Sequence, residues 1–316
     1  MPMEFQHFSV MLTECMDALN IRQDGIYVDG TGGGAGHSQE IAKRLTTGKL
    51  FTFDKDPDAV AICRERLKGY PQAQVVHSDF SRMAQELKAR GITKVDGILL
   101  DLGVSSHQLD TAQRGFSYQS EAKLDMRMAQ EGVSAYEVVN TYEERELARI
   151  LREYGEEKFA QRIARFIVQA RQESPIETTT QLAELVKSAI PAAKRREGGH
   201  PAKRSFQAIR IAVNSELDAL SECLERALDL LAADGRFAVL TFHSLEDRMV
   251  KQKFAQWAKG CICPPQFPVC VCNNKPKVTL ITRKPIEATP QELAENRRSH
   301  SAKLRVVQRL ADEEEN

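Results

Sequence analysis

The chain has 316 residues, 42% hydrophobic and 28% charged, a balance that excludes a disordered chain and makes one large or two ordinary domains. Lys plus Arg and Asp plus Glu number 44 each, so bulk charge does not bind it to nucleic acid, although local basic patches remain open. No apolar run nears the roughly 18 residues of a membrane span, and Met1-Pro2-Met3-Glu4-Phe5-Gln6-His7 has no basic region leading into an apolar one, so a cytoplasmic protein is expected.

Short apolar strands and helical stretches alternate over the first hundred residues. Ile26-Tyr27-Val28 runs into a glycine cluster, Leu50-Phe51-Thr52-Phe53 ends at Asp54, Val75-Val76 ends near Asp79, and Gly97-Ile98-Leu99-Leu100 ends at Asp101. Asp56 is placed to cap a helix from Pro57 to Leu67, with proline at its first position. Strand, helix, strand implies parallel strands with right-handed crossovers, hence a doubly wound α/β sheet. From about Leu102 to His200 the pattern gives only loops and amphipathic helices. Thr141-x-x-Glu144 and Thr178-x-x-Gln181 read as capping boxes, and Pro175 and Pro191 as helix ends. One long helix is expected from Pro201 through Leu228, ending at Ala232-Ala233-Asp234-Gly235, then a strand at Phe237–Phe242, and a closing pair at Val278–Ile281 and Leu304–Val307. A helical domain is therefore inserted between the fourth and fifth strands. The expected division is 1–106 and 201–316 for the core, and 107–200 for the insert.

Asp29-Gly30-Thr31-Gly32-Gly33-Gly34-Ala35-Gly36-His37 follows the first strand and precedes a helix. Glycines let a backbone turn sharply and approach a ligand closely. Asp54, ending the next strand, suits ribose hydroxyls. Gly30-x-Gly32-x-x-Ala35 nominally fits a dinucleotide fingerprint. Asp29 before the loop favours S-adenosylmethionine instead, since a carboxylate there attracts a cationic ligand and repels a pyrophosphate.

Longer runs carry a resemblance. Ile26–Thr31, Asp96–Ser106, Arg114–Ser117, Leu124–Met128, His200-Pro201-Ala202, Phe206-Gln207-Ala208 and Phe242–Arg248 together resemble the ribosomal RNA small-subunit methyltransferase H (MraW-like) family. The resemblance implies a Rossmann-like class I methyltransferase sheet with an inserted all-helical domain for substrate recognition. It implies S-adenosylmethionine-dependent N4-methylation of a cytidine in the decoding region of 16S ribosomal RNA, free or within the small subunit. Cofactor residues then fall on Gly34, Ala35, Gly36, His37, Asp54, Phe80, Asp101 and Gln108.

Cytosine N4 is a poor nucleophile, because its lone pair is delocalised into the ring. In-line attack on the methyl needs alignment and acceptors for the amino hydrogens. Many amino-methylating enzymes carry Pro-Pro-aromatic after the fourth strand, whereas this chain has Asp101-Leu102-Gly103-Val104. Asp101 is therefore read as a cofactor residue. His243 is the catalytic candidate, with Glu246 and Asp247 beside it, against the alternative of a strand end capped by Ser244. Methylation at carbon 5 would need a cysteine nucleophile, but Cys15, Cys63 and Cys223 fall in helical patterns as small core residues. The other four of seven cysteines form Cys261-x-Cys263 and Cys270-x-Cys272, either ligands of a structural zinc or free thiols. Arg195, Arg196, Lys203 and Arg204 lie where the insert rejoins the core and read as phosphate contacts for RNA.

Overall fold

The computed structural model describes residues 9–195, 199–264, 266–267 and 269–311. Arg196 lies outside them. Two compact units divide the chain, one drawn from residues up to Gly103 and from Asp218 onward, the other Val104–Leu217.

The first unit is built on a sheet whose central strands are buried on both faces. Helices α1 (Leu12–Leu19), α2 (Gly36–Arg44), α3 (Pro57–Arg66) and α4 (Met83–Ala89) alternate with strands β1 (Ile26–Asp29), β2 (Lys49–Asp54), β3 (Ala73–His77) and β4 (Val95–Asp101). Side chains alternate sides along a strand, and here both sides are apolar. Val28, Phe51, Ile98 and Leu100 enter one core cluster, while Tyr27, Leu50 and Leu99 enter the other. Asp56 caps α3 as expected, accepting from the Asp58 amide at 3.0 Å.

Beyond the insert the chain adds β5 (Leu231–Thr241), β6 (Val278–Leu280), β7 (Ile286–Glu287) and β8 (Lys303–Arg309). The sheet order is β3-β2-β1-β4-β5-β8-β6, with β7 also on β8. Strands β1 to β5 are parallel, and β8 is antiparallel to β5, β6 and β7. This is the Rossmann-like class I methyltransferase sheet. The chain leaves β1 towards β2 and returns past it to β4, so the β1/β4 boundary is the point where strand order reverses. Ligand crevices form at the carboxyl ends of strands there.

The second unit is helical: α5 (Ser106–Asp110), α6 (Ala135–Thr141), α7 (Glu144–Glu153), α8 (Ala160–Glu173), α9 (Thr179–Ala189) and α10 (Lys203–Asn214). Its own core joins Val138, Leu151, Ile163, Leu182 and Phe206. Thr178 and Gln181 form the expected capping box on α9. Thr141 does not cap α7. Its hydroxyl donates to the Glu137 carbonyl at 2.6 Å, finishing α6, and Glu143 takes the N-cap position of α7 without a side-chain bond. The long helix expected from Pro201 to Leu228 is two, α10 and α11 (Glu216–Leu230), parted by Ser215 at φ 49°, and residues 232–235, expected to end it, already lie in β5. Asn214 accounts for the break. Its amide donates to Met126 O and Arg210 O at 2.7 and 2.9 Å and accepts from the Met128 amide at 2.7 Å, side-chain bonds that favour a helix end. Two further helices, α12 (Ser244–Trp257) and α13 (Pro290–Glu295), belong to the first unit. Among the described residues no helix is long and apolar enough to cross a membrane.

Candidate functional site

The glycine loop links the ends of three strands. The Gly30 amide donates to Leu99 O at 2.9 Å, and the Gly32 amide to Phe53 O at 2.7 Å. The Gly33 amide donates to Asp54 Oδ2 at 2.8 Å, and Thr31 Oγ1 accepts from the Asp101 amide at 2.6 Å. Two of the glycines serve the protein's own packing. A Cβ on Gly32 would lie 2.8 Å from both Cys63 Sγ and Thr52 Cγ2, and one on Gly36 would lie 1.9 Å from Ser9 Oγ. Ala35, at φ 61°, opens α2.

Three carboxylates end the strands around this loop, and burial acts differently on each. Asp29 is fully enclosed, accepting from Ser38 Oγ at 2.6 Å and the Thr31 amide at 3.1 Å. Desolvation raises its pKa, with His37 and these hydrogen bonds opposing. Its carboxylate thus holds the loop in shape, with both oxygens taken by the chain's own donors. Asp54 accepts from the Gly33 and Asp56 amides, each at 2.8 Å. Burial nevertheless pushes its carboxyl up to about 6, the backbone bonds pulling the other way.

Asp101 is the exception. Its Oδ2 lies 3.6 Å from His37 Nδ1, while Oδ1 is buried and, among the described residues, has no hydrogen-bond partner. Burial pushes this carboxyl up to about 6; His37 lowers it, and the charges of Asp29 and Glu246 raise it. An unpaired buried carboxylate oxygen is costly unless a donor or cation completes it. The His37 ring is fixed from its other side, with Nε2 3.1 Å from Val10 O. That carbonyl only accepts, so Nε2 is the donor of this bond.

Phe80 begins a short 3₁₀ turn capped by Asp79, whose Oδ1 accepts from the Ser81 amide at 2.9 Å. It packs beside the loop, 3.2 Å from where a Gly30 Cβ would stand. Gln108 stands in the helical unit, where its side chain accepts from the Ser105 amide at 3.0 Å in a capping box. The structure thus brings Gly34, Ala35, Gly36, His37, Asp54, Phe80 and Asp101 to one edge of the sheet, with Gln108 in the other unit.

At the end of β5, His243 itself is the N-cap of α12, in place of the expected Ser244. Its Nδ1 accepts from the Glu246 amide at 3.4 Å, while Glu246 Oε2 accepts from the Phe242 and His243 amides at 2.9 and 3.3 Å. His243 Nε2 is buried 3.0 Å from Glu246 Oε1, off the line of a hydrogen bond. Asp247 is held by the Arg305 fork, Nε to Oδ1 at 2.7 Å and Nη2 to Oδ2 at 3.1 Å. This motif is a helix start, and proton acceptance by His243 would require its ring to leave the cap. His243→Ala is expected to cost about 1 kcal/mol, as N-cap losses do, and His243→Asn to recover it. Melting temperatures measure that. Methyl transfer by His243→Asn at an unchanged melting temperature separates the two roles, since an acid–base ring is not replaced by an amide.

Cys15, Cys63 and Cys223 are buried core residues, and burial pushes each thiol up, away from the nucleophilic thiolate. Of the basic residues, Arg195 is engaged locally. Its Nε donates to Ile190 O at 2.9 Å, satisfying a carbonyl just past α9. Lys203 and Arg204 are exposed in the first turn of α10, whose N-cap Ala202 has no side-chain cap. Cations at a helix N-terminus oppose the macrodipole by roughly 0.3–1 kcal/mol each, so their place there favours an anion. Nearby in sequence, His200 stacks on Tyr118 with ring centroids 4.4 Å apart and planes 13° apart. That platform is absent from the sequence reading because its halves are far apart in the chain; only the two family-like runs, Arg114–Ser117 and His200–Ala202, point to the neighbourhood.

Comparison with known proteins agrees with this arrangement. The model of the MraW methylase family matches residues 4–310. The ribosomal RNA small subunit methyltransferase H of Clostridium botulinum (strain Kyoto / Type A2) is 55% identical over 310 residues, covering 98% of this chain and all of that protein. Proteins of the same name from Lachnospira eligens and Ruminiclostridium cellulolyticum are 55% and 54% identical, covering 98% of this chain and 99% and 100% of theirs. By sheet order, loop and whole-length similarity, the chain belongs to the MraW methylase family.

Proposed function

We propose that this protein transfers the methyl group of S-adenosylmethionine to N4 of a cytidine in the decoding region of 16S ribosomal RNA, in the cytoplasm, on free RNA or the small subunit. The observation that carries the reading is Asp101, a carboxylate at the β4 edge beside the glycine loop with one buried oxygen that no described residue hydrogen-bonds. Asp29, Asp54 and Asp101 make this strand edge acidic, which suits a ligand bearing sulfonium and ammonium charges. A dinucleotide pyrophosphate would be repelled there. The names of the relatives support ribosomal RNA as the substrate class.

S-adenosylmethionine, when bound, supplies an electrophilic methyl carbon, and its C–S bond breaks with the electron pair passing to sulfur. The chain's own residues bind and orient. Asp54 receives the ribose hydroxyls, Phe80 lies against the adenine, and the backbone of Gly34, Ala35 and Gly36 shapes the pocket with His37. Asp101 holds the ammonium of the methionine end. Gln108 is assigned to the same cofactor from the helical unit, and His243 is assigned to the cytosine side through the Glu246 pair.

The helical unit is assigned to the RNA. Lys203 and Arg204 take phosphates at the start of α10, with Arg195 and Arg196 extending the basic stretch, and the Tyr118–His200 pair offers a face for a splayed base. The target base must leave its stack to meet the methyl group. Incubation of 16S RNA and of small subunits lacking the mark with tritiated cofactor, followed by nucleoside mass spectrometry, tests the proposal. N4-methylcytidine is the expected product. 5-Methylcytidine, or no label in either substrate, overturns it.

A further inference from the structure

Between α12 and β6 the chain runs through residues 258–277 with no helix or strand among those described. Such a stretch ordinarily needs an apolar core to hold it, but its larger apolar side chains face outward. Ile262 is 56% exposed, Phe267 51%, Val269 70% and Val271 68%. What the segment gathers instead is sulfur, on cysteines that are themselves exposed or half-buried. The Sγ atoms of Cys261, Cys263, Cys270 and Cys272 are all within 4.8 Å of one another, and all four are free thiols.

We propose that these four cysteines bind one zinc ion as a closed structural site, separate from the methyl-transfer site. The spacing supports it. Zn–S bonds of about 2.3 Å in a tetrahedron set each S···S edge near 3.8 Å. Cys270–Cys272 and Cys261–Cys272 stand at 3.6 and 3.7 Å. The tight Cys-x-Cys spacing is also accounted for. Alternate residues of an extended chain point opposite ways, so each pair turns both sulfurs inward and its middle residue, Ile262 or Val271, outward.

Backbone amides face three of the four sulfurs. The Ile262 amide donates to Cys272 Sγ at 3.3 Å, Cys263 to Cys261 Sγ at 3.4 Å, Val271 to Cys263 Sγ at 3.3 Å and Asn274 to Cys272 Sγ at 3.5 Å. Such outer donors stabilise negative sulfur and orient the ligands. Asn274 Nδ2 then ties the loop to its own base, donating to Lys259 O and Gly260 O at 2.9 and 2.7 Å. Four thiolates leave no open coordination position, so the metal's work here is structural, and it takes the place of the missing core. The sulfurs are too close together to wrap a cluster of several irons, so the cage takes one ion, and an all-thiolate tetrahedron suits zinc, with a single iron as the competitor that metal analysis distinguishes.

The test uses the full chain purified under reducing conditions. Elemental analysis is expected to find about one zinc per chain, released by a thiol-specific mercurial. Replacing it with cobalt should give the intense visible bands of tetrahedral cobalt thiolate, a readout that needs no variant. Cys261→Ser with Cys272→Ser should lose the zinc while keeping the far-ultraviolet circular dichroism of the wild type. The variant should also be cut by protease within residues 258–277, where the wild type resists. A wild-type protein that stays metal-free after incubation with zinc and reductant, or that carries iron instead, overturns the proposal.

Discussion

Asp101→Asn is expected to weaken S-adenosylmethionine binding by about tenfold to a thousandfold at pH 7.5, on the scale of a lost charge-assisted hydrogen bond and ion pair, and to raise the stability of the cofactor-free protein. Both effects come from one unpaired oxygen. A cationic ligand binds the ionised carboxylate, and burial has pushed this carboxyl up to about 6. Wild-type affinity should therefore be flat above pH 7 and fall as pH drops through 6, by up to about tenfold per unit for each carboxyl that must ionise. Asp54, also pushed up to about 6, contributes a second such step. The variant should show a shallower slope, with the Asp54 step alone remaining.

The sign for stability is the reverse. A carboxyl whose folded pKa lies above its unfolded value binds its proton more tightly when folded. The cofactor-free protein therefore loses stability as pH rises from about 4 to about 6, and recovers none above that. Two pKa units correspond to about 3 kcal/mol at most, less what solvent screens at this partly open edge. Asn removes that cost. Calorimetric titration across pH 5–8, with melting curves of the empty protein, measures both. Unchanged affinity and an unchanged pH slope would mean that Asp101 does not face the cofactor.

Lys203→Glu with Arg204→Glu is expected to reduce RNA affinity about ten- to hundredfold and to flatten its salt dependence by about two units of slope, one for each lost phosphate contact. Affinity for S-adenosylmethionine should not change. Stability should rise slightly, because acidic residues in the first turn of α10 complement its macrodipole where basic ones oppose it. Among the described residues, the side-chain bond given up in exchange is the exposed one from Arg204 Nη1 to Glu156 O at 3.2 Å. Weaker RNA binding in a more stable protein cannot be a folding defect. Arg195 is left intact in this variant, because its bond to Ile190 O serves the end of α9. Filter binding at several salt concentrations decides it, and an unchanged affinity and slope would return these side chains to an ordinary solvated surface.

Strand edges were readable from the chain because short continuous apolar runs end in an acidic residue at Asp29, Asp54 and Asp101. The capping of α3 and α9 was equally local, an Asp before Pro57 and a Thr three residues before Gln181. What escaped depends on partners distant in sequence or on competition between neighbours. Asn214 ends α10 through bonds to Met126 and Met128, which no reading of the 201–228 periodicity contains. Thr141 had two helices to serve and took the earlier one. His243 displaced Ser244 as cap because the first position, with Glu three residues on, closes a reciprocal box. The acceptor left over on Asp101 is a property of the assembled pocket, since only the fold shows that no described residue hydrogen-bonds to Oδ1.

The placement of the helical unit between β4 and β5 has a consequence for biogenesis. Asp101 and Leu240 are neighbours in the sheet, yet the whole insert separates them on the ribosome. At roughly 5–20 residues per second, β4 waits on the order of ten seconds for its partner, holding an apolar strand edge open to any other extended chain. A helical unit with its own core can fold within that interval and bring the two ends of the insert together before β5 emerges. That shortens the loop whose closure would otherwise oppose the pairing. The insert would then guard the nascent sheet, and mutations that loosen the Leu151–Ile163–Leu182 core should lower the soluble yield of the whole chain before they alter the finished enzyme.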